Sequence, residues 1–110
     1  MSSSKINQLQ LLQQNLQNIL LHKQQLQNSM VEFESALHEL KNTEKCYKIV
    51  GHLMIASSKD KLSEELESKK EVSELRLKNY LLQEEKLKKS IEELQKEVVK
   101  ELQDHERSAK

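Results

Sequence analysis

The chain has 110 residues, of which 33% are charged and only 3% aromatic, with one glycine and no proline. Such a sequence cannot close a sizeable core by itself, so its apolar surface must be buried along a narrow seam or against other chains. Its 18 basic and 18 acidic side chains cancel and are interspersed, which leaves no electrostatic footprint for nucleic acid or an anionic membrane.

From Leu9 onward, apolar residues recur at alternating spacings of three and four: Leu9, Leu12, Leu16, Ile19, Leu26, Met30, Phe33, Leu37 and Leu40. The pattern is a heptad seam interrupted only by Lys23. It predicts a first helix over about 4–41, with N-cap candidates in the run Ser2 to Ser4 and a C-terminal stop at Asn42. The outer face of this helix is rich in Gln and Asn.

The stretch "CYKIVGHLMIASS" then breaks the helical pattern and predicts a hairpin over about 45–57. Gly51-His52 suits a two-residue type II′ turn, in which the first position needs positive φ. Pairing across the turn sets Val50 by Leu53, Ile49 by Met54, Lys48 by Ile55 and Tyr47 by Ala56. Both faces of such a hairpin are apolar, with Val50, Leu53 and Ile55 on one and Tyr47, Ile49 and Met54 on the other. A lone two-stranded hairpin is marginal in water, and no third strand is written in the sequence. The missing strands are therefore expected from other subunits, in a shared sheet or barrel.

A second helix is predicted over about 59–107, introduced by Ser57-x-x-Asp60 at capping-box spacing and by Glu64 and Glu65 near its start. Its heptad phase runs Leu66, Lys70, Ser73, Leu77, Tyr80, Glu84, Leu87, Ile91, Leu94, Val98. A further stripe of Val72, Leu75 and Leu82 lies on nearly the opposite face, as expected of contact with a neighbouring subunit. Folding the helices back on each other gives an antiparallel coiled coil. A register with Leu40 near Lys59 matches Leu9 with Ile91, Leu12 with Leu87, Ile19 with Tyr80 and Phe33 with Leu66, but sets Met30 by Lys70 and Leu16 by Glu84. In that register the first helix runs out near Leu94, leaving Val98, Val99 and Leu102 uncovered beside Ile6, Leu9 and Leu11. An apolar patch at the solvated tip of a coiled coil is a candidate binding surface.

No chemistry of bond making is written here. His22, His38, His52 and His105 fall at no metal-ligand spacing, and Cys46 has neither an orienting acid nor an oxyanion loop beside it. With one Gly there is no phosphate-cradling loop. Neither an enzyme, a cofactor nor a metal is expected. The absence of a bilayer-length apolar run or a leader-like segment, with a single cysteine, points to a cytoplasmic protein.

The order of heptad helix, "CYKIVGHLMIASSKDKLSEEL" and heptad helix resembles the beta-type subunits of the prefoldin family of co-chaperones, also called GimC. The likeness covers the whole chain, 1–110, as a single prefoldin-like unit, and "YKIVGHLMI" followed by "SKDK" is its most specific part. Alpha-type subunits carry two hairpins; the one hairpin here favours the beta type. The resemblance implies a mainly α fold, with two long helices in an antiparallel coiled coil joined by one β-hairpin that enters an intersubunit β-barrel. It implies an α2β4 hexamer with alpha-type and further beta subunits, in which Tyr47, Ile49, Val50, Leu53, Met54 and Ile55 build the barrel. It implies ATP-independent capture of unfolded polypeptides at tips near Ile6, Leu9, Leu11, Val98, Val99 and Leu102, and delivery to a group II chaperonin. The competing reading is a scaffold or tether that assembles through the same hairpin and holds no unfolded chain. A third, a nucleic-acid-associated coiled coil, is opposed by the balanced charge.

Overall fold

In a computed structural model that describes residues 2–109, the three-and-four spacing becomes two long helices, α1 over Ser2–Leu40 and α2 over Lys59–Ala109. Between them β1, Cys46–Val50, pairs antiparallel with β2, Leu53–Ser57. The fold is thus mainly α, with one hairpin joining two helices, as expected from the resemblance.

The hairpin register is the one read from the turn: Val50 pairs with Leu53, Ile49 with Met54, Lys48 with Ile55 and Tyr47 with Ala56, and Cys46 with Ser57 closes the ladder. Gly51 sits at φ +61°, while no other described residue has positive φ, the combination a type II′ turn demands. A side chain at position 51 would meet nothing within 4 Å. The glycine is there for its backbone freedom, not for space.

The helix ends are held differently from the sequence expectation. Ser3 and Ser4 lie inside the first turn of α1 rather than capping it, and the Ser2 side chain lies outside the described residues. Asn42 does not take the left-handed conformation of a C-terminal stop. Instead Thr43 Oγ1 donates to the Glu39 carbonyl of the last turn at 2.8 Å, as does the Asn42 N–H at 3.1 Å, and Lys59 Nζ donates to the Lys41 carbonyl just past the helix end at 3.1 Å. At the start of α2 the cap is Ser58, whose Oγ accepts from the Lys61 N–H at 3.2 Å; Ser57 is the last residue of β2. The Ser57-x-x-Asp60 capping box does not form, because the strand claims Ser57. Asp60 still places negative charge in the first turn.

The molecule divides into two compact units, one of Gln24–Lys78, which holds the hairpin, and one of Met1–Lys23 with Asn79–Lys110. In each, a segment of α1 lies antiparallel to a segment of α2, with the predicted heptad positions inside. Every one of the ten positions on α1, Lys23 included, and the ten on α2 is at least partly buried. Two helices cannot enclose a side chain completely, so most are only half-buried; Leu40, Ile91 and Val98, each 8% exposed, are the hydrophobic residues hidden best.

The pairing of those positions corrects the expected register. Glu34, not Met30, reaches Lys70 (3.3 Å), and Lys23, not Leu16, meets Glu84 (2.9 Å). His22, not Ile19, stacks on Tyr80, and Lys5 faces Glu97 and Glu101 rather than Leu94. All four differences run the same way, by three to seven residues, that is, about one to two helical turns. The slide removes both mismatches of the expected register by bringing charge to opposite charge.

Candidate functional site

The hairpin is the most exposed apolar surface of its unit. Ile49, Leu53 and Met54 are 70, 68 and 67% exposed, and Tyr47, Val50 and Ile55 are about half-exposed. Strand alternation puts these six on both faces of a two-stranded ribbon, so no single helix of the chain could cover them. Only the base is tied down. Lys48 donates to the Glu65 carboxylate on α2, and Cys46 Sγ donates to the Ser57 carbonyl at 3.4 Å. The Lys48 hydrogen bond holds the Glu65 carboxyl below the ordinary carboxylate range. A cavity of about 380 Å³ lies under the ribbon, with Leu40, Leu62 and Leu66 among its walls. The ribbon therefore stands off the helices, anchored by one strand. On α2 the outer residues Val72 and Leu75 are exposed as well, as is Leu82 in the other unit.

In the unit that holds both terminal segments, Lys5 bridges to Glu101 at 2.5 Å and Glu97 at 3.4 Å. The Glu101 hydrogen bond raises the Lys5 ammonium above its ordinary value, and the same bond lowers the Glu101 carboxyl. In the same unit Val98 is buried in the seam. The expectation of an uncovered Val98 thus fails, because it rested on the shorter register. Leu9 is likewise a half-buried seam residue. Ile6, Leu11, Val99 and Leu102 remain exposed, Leu11 at 58%.

Sequence reading passed over a polar cluster in this unit. Glu84, 8% exposed as a residue, accepts from Lys23 Nζ at 2.9 Å and pairs with Lys88 Nζ at 3.1 Å. The Lys23 bond first, then that of Lys88, holds the Glu84 carboxyl below the ordinary carboxylate range. The signal was present as the one polar heptad position of α1 and an acidic one of α2, of opposite sign. Among the described residues no three His, Cys, Asp or Glu side chains gather as a metal site, and no helix is long and apolar enough to cross a membrane.

Comparison with known proteins decides between the readings. The family model described as "Prefoldin subunit" matches residues 3–105. The chain belongs to the prefoldin family. Among its relatives, the prefoldin subunit beta of Pyrobaculum islandicum is 39% identical over 100 residues, covering 88% of this chain and 80% of the relative. That of Sulfolobus acidocaldarius is 35% identical over 98 residues, covering 86% and 78%. The crystal structure of the prefoldin beta subunit from Thermococcus strain KS-1 superposes with a TM-score of 0.79 at 34% identity, covering 88% of each chain. The beta2 subunit from the same strain gives 0.55 at 28% identity, covering 86% of this chain and 97% of that one. As a prefoldin subunit of beta type, the chain is a co-chaperone component that assembles with other prefoldin subunits. The prefoldin family is a chaperone family, not an enzymatic one, and the tether reading loses its footing.

Proposed function

We propose that this chain is an ATP-independent holdase subunit of a cytoplasmic α2β4 prefoldin hexamer, which captures unfolded polypeptides and passes them to a group II chaperonin. One observation carries the reading: an apolar ribbon with both faces bare, which needs neighbouring strands and so gathers several copies of the same binding surface into one particle. Tyr47, Ile49, Val50, Leu53, Met54 and Ile55 are its barrel residues. The client surface comprises Ile6, Leu11, Val99 and Leu102, with Leu9 and Val98 packed beneath as support rather than contact. An unfolded client offers scattered apolar segments, and small adaptable apolar patches suit it better than a shaped pocket.

The test is light scattering from denatured citrate synthase diluted into the assembled oligomer. Wild type is expected to suppress aggregation without ATP, and a variant with Ile6→Ser, Leu11→Ser, Val99→Ser and Leu102→Ser to suppress it several-fold less at unchanged mass. Full suppression by that variant would remove the client surface assigned here. No suppression by wild type would return the tether reading.

A further inference from the structure

We propose that the shallow groove lined by Asn15, Asn18 and Ile19 of α1 and Gln83, Lys86 and Leu87 of α2 is a second client contact, one that binds the client's backbone. This rests on the holdase reading and adds to it how a client main chain is held. The groove measures about 450 Å³, within the range that takes a small ligand or a short run of peptide. Ile19 and Leu87 form a half-buried apolar floor, and three exposed carboxamides form the rim. Each carboxamide offers two N–H donors and a carbonyl acceptor, the complement of a peptide group with one of each. Unlike Gln24 and Asn28, which bond to each other at 3.1 Å, the three rim amides are engaged by no other described residue.

The charge around the groove favours an unselective ligand. From Ile6 to Val31 the only formal charge is Lys23, and it is turned into the seam toward Glu84. On the α2 side Lys86 is the one charged lining residue. In a chain with 33% charged residues, this is a sparsely charged, mostly apolar groove with carboxamides at its rim. A nucleic acid would find too few cations here, and a folded helix has its backbone groups already paired. An extended, unfolded segment has both its amides and its side chains free. His22, stacked on Tyr80 with centroids 6.2 Å apart, lies a turn beyond Asn18 and Gln83 along the two helices. Toward the other end, one turn before Asn15 on the same helix face, stands exposed Leu11. A client lying along the groove would run from backbone-binding amides onto Leu11, the residue of the proposed client surface on that side of α1.

The experiment uses the full chain in its assembled oligomer and, as probe, reduced and carboxymethylated α-lactalbumin, read by fluorescence anisotropy. In the variant Asn15→Ala/Asn18→Ala/Gln83→Ala the helices are retained, because alanine is the best helix former. Loss of three modest hydrogen bonds is expected to weaken binding about tenfold or more, with circular dichroism and mass unchanged. Binding within twofold of wild type overturns the inference, while the holdase reading survives if Val99→Ser/Leu102→Ser loses affinity. If wild type fails to bind the probe, the holdase reading falls and the groove with it. Should the triple variant not assemble, a photocrosslinker at position 18 decides against one at Gln17 on the far side of α1. Labelling of the probe from position 18 alone supports the groove; equal labelling from both, or none, overturns it.

Discussion

Glu84 is the residue with the most to lose when its surroundings change. It sits in the seam with two ammonium groups, Lys23 at 2.9 Å and Lys88 at 3.1 Å, and their hydrogen bonds depress its carboxyl. A depressed folded value means that the stabilisation is present in full above the unfolded carboxyl's value of about 4.3 and is lost as pH falls through the lower folded value. Lowering pH from about 6 to about 3 should therefore lower the melting temperature of the helical signal. Glu84→Gln should make that dependence shallower without abolishing it, since Glu65 and Glu101 are depressed in the same direction. Thermal melts of both proteins across that range check this; equal slopes would mean that the seam pair contributes nothing. Gly51 gives a second case at this scale. Its φ of +61° with open space around it makes Gly51→Ala a backbone penalty alone, about 1–2 kcal/mol. Its effect should appear as weaker oligomer assembly in sedimentation experiments, with helix content unchanged.

At the scale of elements, the two helices and the hairpin were legible in the sequence, and the way the helices face each other was not. Burial along a two-helix seam imposes a spacing of three and four, so Leu9 through Leu40 and Leu66 through Val98 mark themselves. Gly51-His52 fixes the hairpin register, because a two-residue turn leaves one pairing. A slide by one layer along the seam, however, trades one Leu or Ile neighbour for another at little cost, and periodicity is blind to it. What opposes the slide is polar: Lys23 to Glu84, Glu34 to Lys70 and Lys5 to Glu101. Read in one dimension, Lys23 and Glu84 are flaws in two seams; in three they answer each other, as polar seam residues that specify register do elsewhere. The misplacement of Val98 among uncovered residues followed from that single error. Paired cysteines test the corrected register. In a Cys46→Ser background, Leu16→Cys with Leu87→Cys should form a disulfide under mild oxidation, because Leu87 lines one groove with Asn15 and Ile19. Leu12→Cys with Leu87→Cys, the pair of the unshifted register, should stay reduced. Mass shift on gels after alkylation reads both, and the opposite result would restore the first register.

At the scale of the whole molecule, the proposed holding of clients depends on number more than on the strength of any one contact. To the proposed client surface each subunit contributes only a few exposed apolar side chains, Ile6, Leu11, Val99 and Leu102, and a shallow groove. Such a contact is weak by itself, which allows release without ATP. The proposed assembly through the hairpin would change the arithmetic: once one site holds a segment of an unfolded chain, the remaining sites would meet the rest of it at high effective concentration. Linking sites in this way raises overall affinity by about 10²–10⁴ without any new contact. Ile49→Asp separates the two contributions. Ile49 is 70% exposed in the isolated subunit, so a charge there is tolerated by the chain itself but would be desolvated without a partner inside a shared barrel. The variant should keep its helical circular dichroism, fall to the mass of a single subunit by light scattering, and retain every client-contacting side chain. Half-suppression of citrate synthase aggregation should then require roughly 100-fold more subunit than in the assembled protein. If the dispersed subunit holds clients as well as the oligomer does, the contacts themselves are strong, and the hairpin serves some purpose other than multiplying them.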